Sequence, residues 1–185
     1  MGIFLNEWFS YIAWMARARD PGRLDAVIAA ATWAFTELGF RRARISQVAE
    51  RARVGPGTVY LYVQDKDALF EVAVLRAVES PRVAEPELPY RKTPAAEVPR
   101  LIEDCLHEIA HFPQLWVGSE RRGHERSGPE YEGILRELAR WIVRYRDALR
   151  LAERNRIDQP VLADAFDRIV WADLHRRLTG YLGSR

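Results

Sequence analysis

The chain has a single cysteine, Cys105, so no disulfide can close within it, and a reducing compartment suits it. Cytoplasm is the expected location. No apolar run approaches the roughly 20 residues that a bilayer crossing needs, and no cationic leader with a cleavage site precedes the first domain. A membrane partner is therefore not expected. Repeats with a period of about 20 to 50 residues and low-complexity tracts are also missing, which excludes solenoids and arrays. Net charge is scarce as well: +2 over 185 residues would not alone indicate a nucleic-acid partner.

The chain does have enough apolar mass to fold, since 48% hydrophobic residues can fill one large or two small cores. Its charge is also uneven. From Gly39 to Lys66 the cations Arg41, Arg42, Arg44, Arg51, Arg53 and Lys66 outnumber Glu50 and Asp65, a local +4 that leaves −2 for the remainder. A basic block of this kind is the electrostatic footprint of a phosphate-facing surface, although a solvated charged face would give the same count.

The same stretch, Gly39 to Phe70, reads as a short helix, a tight turn and a second short helix. Two helices that cross steeply need a small side chain at the crossing and apolar residues around it. Ala49 is that residue, and Val48, Ala52, Val54, Val59 and Tyr62 fall along one shared seam. Gly55 can cap the second helix, and Pro56 suits its first position because the missing N–H would have had no intrahelical partner. Pro56, Gly57, Thr58, Leu61 and Tyr62 then present small or adaptable groups at the front, a shape suited to base edges in a major groove. Asp65 caps the next helix, with Lys66 in its first turn.

At these residues the sequence resembles the TetR family of transcriptional regulators. The resemblance rests on Ala30-Ala31, Phe35, Gly39-Phe40, Val48-Ala49, Val54, Gly57-Thr58, Val59-Tyr60-Leu61-Tyr62, Lys66 and Leu69, and it covers the first domain. It implies an all-α fold, double-stranded operator DNA as partner and phosphate contacts from Tyr60 and Lys66. The DNA-binding set expected here is Arg44, Gly57, Thr58, Tyr60, Leu61, Tyr62 and Lys66. The family pattern is departed from in four places. Arg53 stands where the turn usually has glycine, with a strain on the order of 1 kcal/mol if left-handed. Ala43-Arg44 replaces a hydroxyl pair, Gly55 replaces a serine cap, and Val63 replaces a phenylalanine.

Taken in order, residues 1–19 form an aromatic-rich extension, read as upstream sequence ahead of a start at Met15 in preference to a dimer-bracing arm or a membrane-surface helix. Residues 20–66 are the expected three-helix DNA-binding domain, and 67–185 a helical domain for ligand binding and dimerisation. Its first helix, from Leu69 to Ala77, is expected to join the two domains. Pro81 to Pro99 holds five prolines without a period and reads as a linker. Leu101, Cys105 and Ile109 mark a helix that ends at Pro113, and Gln114 to Pro129 reads as weakly ordered apart from a buried Leu115-Trp116-Val117. Two helices close the chain, one from Tyr131 to Leu149 and one from Val161 to Leu178.

His107-Glu108-Ile109-Ala110-His111 spells H-E-x-x-H, the spacing that sets two imidazoles one turn apart for zinc. A zinc-dependent hydrolase is therefore the competing reading. The extended protease motif would need glycine and a further histidine where Gln114 and Val117 stand, and both histidines lie opposite the apolar stripe. A solvated pair on the polar face is preferred, with no catalytic residue, metal or cofactor expected. Cys105, Trp116, Tyr131, Trp141 and Tyr145 are the expected lining of an effector pocket, although aromatic stripes more often form core. TetR-like proteins dimerise through their last two helices, which implies a homodimer seam at Leu162, Phe166, Ile169 and Leu174.

Overall fold

A computed structural model describes residues 21–84, 86–112, 115 and 128–183. The expectations for residues 1–19, for Trp116 and for Val117 lie outside the described residues. The described residues form helices joined by turns and irregular segments, with one isolated parallel bridge between Val63 and Tyr90, so the all-α expectation holds. The chain forms two compact units, 1–93 and 94–185. The division expected after Lys66 thus falls at Thr93, and the helix expected to lead the second domain packs with the first.

In the first unit, helix α1 (Pro21–Glu37) buries Leu24, Val27, Ile28, Ala31, Ala34 and Phe35 on one face, at helical three-and-four spacing. It stops where Gly39 turns to φ 84°, a conformation open to glycine without a Cβ penalty. Helices α2 (Ile45–Arg51) and α3 (Pro56–Tyr62) form the crossing pair, and α4 (Lys66–Ala77) closes the unit against α1. Asp65 caps α4 by accepting from the Ala68 N–H at 2.8 Å. Phe35, Phe40 and Phe70 meet at centroid distances of 5.1–5.8 Å, and truncating such a buried ring costs about 3–5 kcal/mol.

The proline-rich stretch is only partly a linker. A 3₁₀ turn at Pro81–Val83 buries Val83, and residues 88–93 return across the unit as an extended strap. The Tyr90 N–H donates to the Tyr62 carbonyl at 2.7 Å, and the Tyr90 carbonyl accepts from the Gln64 N–H at 2.9 Å. Burial, and the Glu71 carboxylate accepting from its hydroxyl, push the Tyr90 phenol above its usual range.

The second unit contains α5 (Val98–Ile109), α6 (Gly128–Arg144), α7 (Arg146–Arg154), α8 (Pro160–Ala165) and α9 (Ala172–Gly183), the last two joined by a π-helical turn at Phe166–Trp171. The helix expected from Tyr131 to Leu149 breaks at Tyr145, whose φ of −102° and ψ of 17° separate α6 from α7. Helix α5 packs on α8 and on the π turn.

That packing corrects the expected dimer seam. Leu162, Phe166 and Ile169 are buried within the single chain and Leu174 is half-buried, so they have little surface left for a partner. The apolar side chains left outside include Leu135 at 66% exposure, Ile142 at 50% and Val143 on α6, Ile157 after α7, Trp171 in the π turn and Leu182 on α9. Tyr131, Leu135, Leu138 and Ile142 recur at four-three-four spacing, a single stripe along α6.

Candidate nucleic-acid interface

The crossing of α2 and α3 is built as the spacing requires. Val48 and Ala49 of α2 and Val59 and Tyr62 of α3 are buried, with Ala52 and Val54 half-buried between them. The turn closes by two backbone bonds, Arg53 N–H to the Glu50 carbonyl at 3.1 Å and Val54 N–H to the Ala49 carbonyl at 2.9 Å. This Schellman arrangement needs a left-handed residue between the bonded pair, and Arg53 takes it at φ 57°. The arginine therefore carries the expected strain of about 1 kcal/mol.

The two replaced caps are resolved differently. Gly55 caps α3 with extended backbone at φ −69°, ψ 148°, and its carbonyl accepts from the Thr58 N–H at 2.9 Å. At α2 the missing hydroxyl is offset from the other side: Gln47 Oε1 accepts from the Arg44 N–H at 2.9 Å, half of a capping box. The Arg44 side chain is thus left exposed and available to a phosphate.

On α3 the expected DNA-binding residues divide by burial. Gly57 and Tyr60 are exposed, and Thr58 and Leu61 are half-buried. A Cβ on Gly57 would meet nothing within 4 Å, so open space stands in front of the helix there. Tyr62 is fully buried beneath α3, which contradicts its placement at a base edge: its position on the helix follows the seam through Val59. Lys66 is held near the same face, its Nζ donating to the Arg41 carbonyl at 3.3 Å and lying 4.7 Å from the Phe40 ring centre. Arg41, Arg42, Arg51 and Arg53 are exposed beside them, and the Arg51 guanidinium sits 4.1 Å over the Trp33 ring. The local charge excess therefore lies on the surface around α2 and α3.

The second unit gathers only part of the expected pocket lining. Trp141 is buried, its Nε1 donating to the Ile109 carbonyl at 2.6 Å, with Phe112, Tyr145 and Trp171 around it at 5.2, 5.5 and 6.4 Å. Cys105 is buried, whereas Tyr131 is partly exposed and packs on Tyr181 at 5.4 Å, about 15 Å along α6 from Trp141. A half-open cleft of about 290 Å³ adjoins this cluster through Trp171, lined otherwise by Leu149, Ala152 and Phe166 with Arg150, Glu153 and Arg156. Sequence reasoning missed these residues, because the break at Tyr145 that forms α7 carries no proline or glycine signal.

The zinc motif loses its geometry. Helix α5 ends at Ile109, so Ala110 and His111 leave the helix and the two imidazoles do not sit one turn apart on it. Both histidines are exposed, and among the described residues no group of three or more His, Cys, Asp or Glu side chains could hold a metal. Among those residues, too, no helix is long and apolar enough to cross a membrane.

Residues 27–73 match the family model described as bacterial regulatory proteins, tetR family. Over 131 residues the chain is 31% identical to an uncharacterised HTH-type transcriptional regulator, YhgD, of Bacillus subtilis (strain 168), a match covering 66% of this chain and 64% of that protein. Over 87 residues it is 30% identical to the HTH-type transcriptional regulator HbdR of Aromatoleum sp. (strain CIB), covering 47% of this chain and 32% of that one. The chain thus spans less than two thirds of either relative's length. A crystal structure of a candidate TetR-family regulator from Mesorhizobium loti MAFF303099 aligns at 18% identity with a TM-score of 0.43, over 90% of this chain and 78% of that one.

Proposed function

We propose that this chain, whose residues 27–73 match the tetR family model, is a member of that family and a sequence-specific regulator of transcription acting in the cytoplasm as a homodimer. One observation carries this reading: a seven-residue helix keeps Gly57 and Tyr60 exposed and Thr58 and Leu61 half-exposed on one side, buries Val59 and Tyr62 on the other, and follows a helix and turn that carry the exposed Arg44, Arg51 and Arg53. Such a helix is short and small enough at its front to enter a major groove, while the arginines and Lys66 neutralise phosphates without reading sequence.

The dimer is proposed through the apolar residues left exposed, Leu135 and Ile142 on α6 with Trp171 and Leu182. The two recognition helices of such a dimer have to meet successive major grooves, one DNA turn or about 34 Å apart. The regulator acts as a repressor relieved by a small apolar effector, which binds in the second unit near Trp141, Tyr145 and the adjoining Trp171 and shifts the dimer by its differential affinity for two spacings.

Enrichment of duplexes from a random-sequence pool tests the reading: the protein should recover a twofold-symmetric site. Lys66→Ala should then weaken selected and scrambled duplexes alike and lower the slope of log affinity against log salt by about one. A pool with no enriched sequence would remove the proposal.

A further inference from the structure

We propose that the strap at residues 88–93, latched on Glu71, positions the recognition helix α3, so that Glu71 is a positioning residue for base readout. This rests on the DNA-binding reading and adds an element to it. Helix α3 spans seven residues, about 10 Å, and an isolated helix of that length is not stable in water. Its orientation has to be imposed from outside. At its front the constraint is the turn at Arg53 to Gly55, and beneath it are Val59 and Tyr62. Its far end is held by the strap, which takes the Tyr62 carbonyl at 2.7 Å and the Gln64 N–H at 2.9 Å through the backbone of Tyr90.

The strap in turn is held by polar contacts. Leu88, Tyr90 and Thr93 are half-buried, and Pro89, Arg91 and Lys92 are exposed, so none of its side chains is fully buried. Glu71 holds it: its carboxylate accepts from the Tyr90 hydroxyl at 2.6 Å, the Thr93 hydroxyl at 2.6 Å and the Thr93 N–H at 3.0 and 3.1 Å. Lys92 adds an exposed pair with Asp67 at 3.3 Å. One carboxylate on α4 therefore gathers three donors from the strap, and the strap gathers the end of α3. A tilt of about 10° about that end would move the front of the helix about 2 Å, enough to lose a base-edge hydrogen bond. Phosphate contacts from flexible arginines tolerate such a shift.

The test uses the full chain, a duplex enriched by the wild-type protein from a random pool, and a scrambled duplex of the same composition. Two variants are compared, Glu71→Ala and the double variant Tyr90→Phe/Thr93→Val, which keeps the carboxylate and guards against a folding defect peculiar to the first. Amide exchange at Gln64 and Tyr90 reports the latch without DNA. The expected result is exchange faster by about tenfold or more at both amides, affinity for the selected duplex lower by about tenfold, and affinity for the scrambled duplex within about twofold. Faster exchange with unchanged selected-duplex affinity overturns the positioning role, as does an equal loss on both duplexes. Unchanged exchange overturns the latch itself. If the wild type enriches no sequence, the DNA-binding reading and the positioning role fail together, while the exchange data still decide whether Glu71 holds the strap.

Discussion

The two units put nearly the same kinds of residue to use, yet they differ in how apolar side chains are distributed. In the first, α1 and α3 each bury one face, Val27, Ile28, Ala31 and Phe35 on α1 and Val59 and Tyr62 on α3, and α4 is buried nearly all round. In the second, α6 has apolar residues on two sides, with Ile134 and Trp141 buried while Leu135, Ile142 and Val143 stay exposed. Spacing identifies a helix in both cases. It assigns the inward face only where a helix has a single apolar stripe.

The sharpest break of that comparison is to charge the buried stripe of the second unit. Phe166→Asp with Ile169→Asp places two carboxylates in the core between α5 and α8, at several kcal/mol each, against a typical domain stability of about 5–15 kcal/mol. The second unit should unfold. Circular dichroism should show a large loss of helix, whereas a helical monomer with intact far-ultraviolet signal would mean that these residues face a partner after all.

Charging the exposed stripe should have a different and smaller consequence. Leu135→Asp with Ile142→Asp leaves the isolated chain's core untouched, so helix content should stay within error of wild type. Sedimentation should find a monomer, and affinity for the enriched duplex should drop by about 100-fold or more, because one subunit holds one half-site. A double variant that remains dimeric would place the interface elsewhere.

What could be read in the chain follows the same division. Gly39, Gly55-Pro56 and Asp65 are local signals, each acting through the backbone next to it, and each stands where the structure ends or begins a helix. The strap was not readable, because Tyr90 meets Tyr62, Gln64 and Glu71 across long stretches of chain and nothing in a proline-rich run announces a partner. Tyr62 was misplaced at a base edge because a tyrosine near the front of a recognition helix fits both a groove and a core, and only the crossing angle with α2 decides. The π turn at Phe166–Trp171 was not readable either: its wider turn shifts the helical phase between α8 and α9, and no proline or glycine within it signals the change.

A finer cut separates the outer and inner faces of α3 itself. Thr58→Ala removes a half-buried hydroxyl at the front and should change the base preferred at one operator position, by about 1–3 kcal/mol. Tyr62→Phe removes only the hydroxyl of a buried ring and should leave the preference profile as it was. Profiles from the same enriched library decide between them, and a shifted preference in the phenylalanine variant would return Tyr62 to the DNA face.

The smallest expected effect lies in the turn between α2 and α3. Arg53 holds φ 57° without the glycine that the conformation favours, and it sits between the two hydrogen bonds that close the helix end. Arg53→Gly should relieve about 1 kcal/mol of native-state strain, but it also frees the unfolded chain, which takes back about 0.4–1 kcal/mol. The net change in stability should therefore be small and of either sign. Binding should move more clearly, because the substitution removes an exposed cation beside the recognition helix: the salt slope should fall by about one if Arg53 reaches a phosphate. Denaturant melts and a salt titration on the same variant separate the two contributions. A gain of several kcal/mol would mean that the strain is much larger than a single left-handed residue stores, and an unchanged slope would take Arg53 out of the phosphate-contacting set, leaving that work to Arg44, Tyr60 and Lys66.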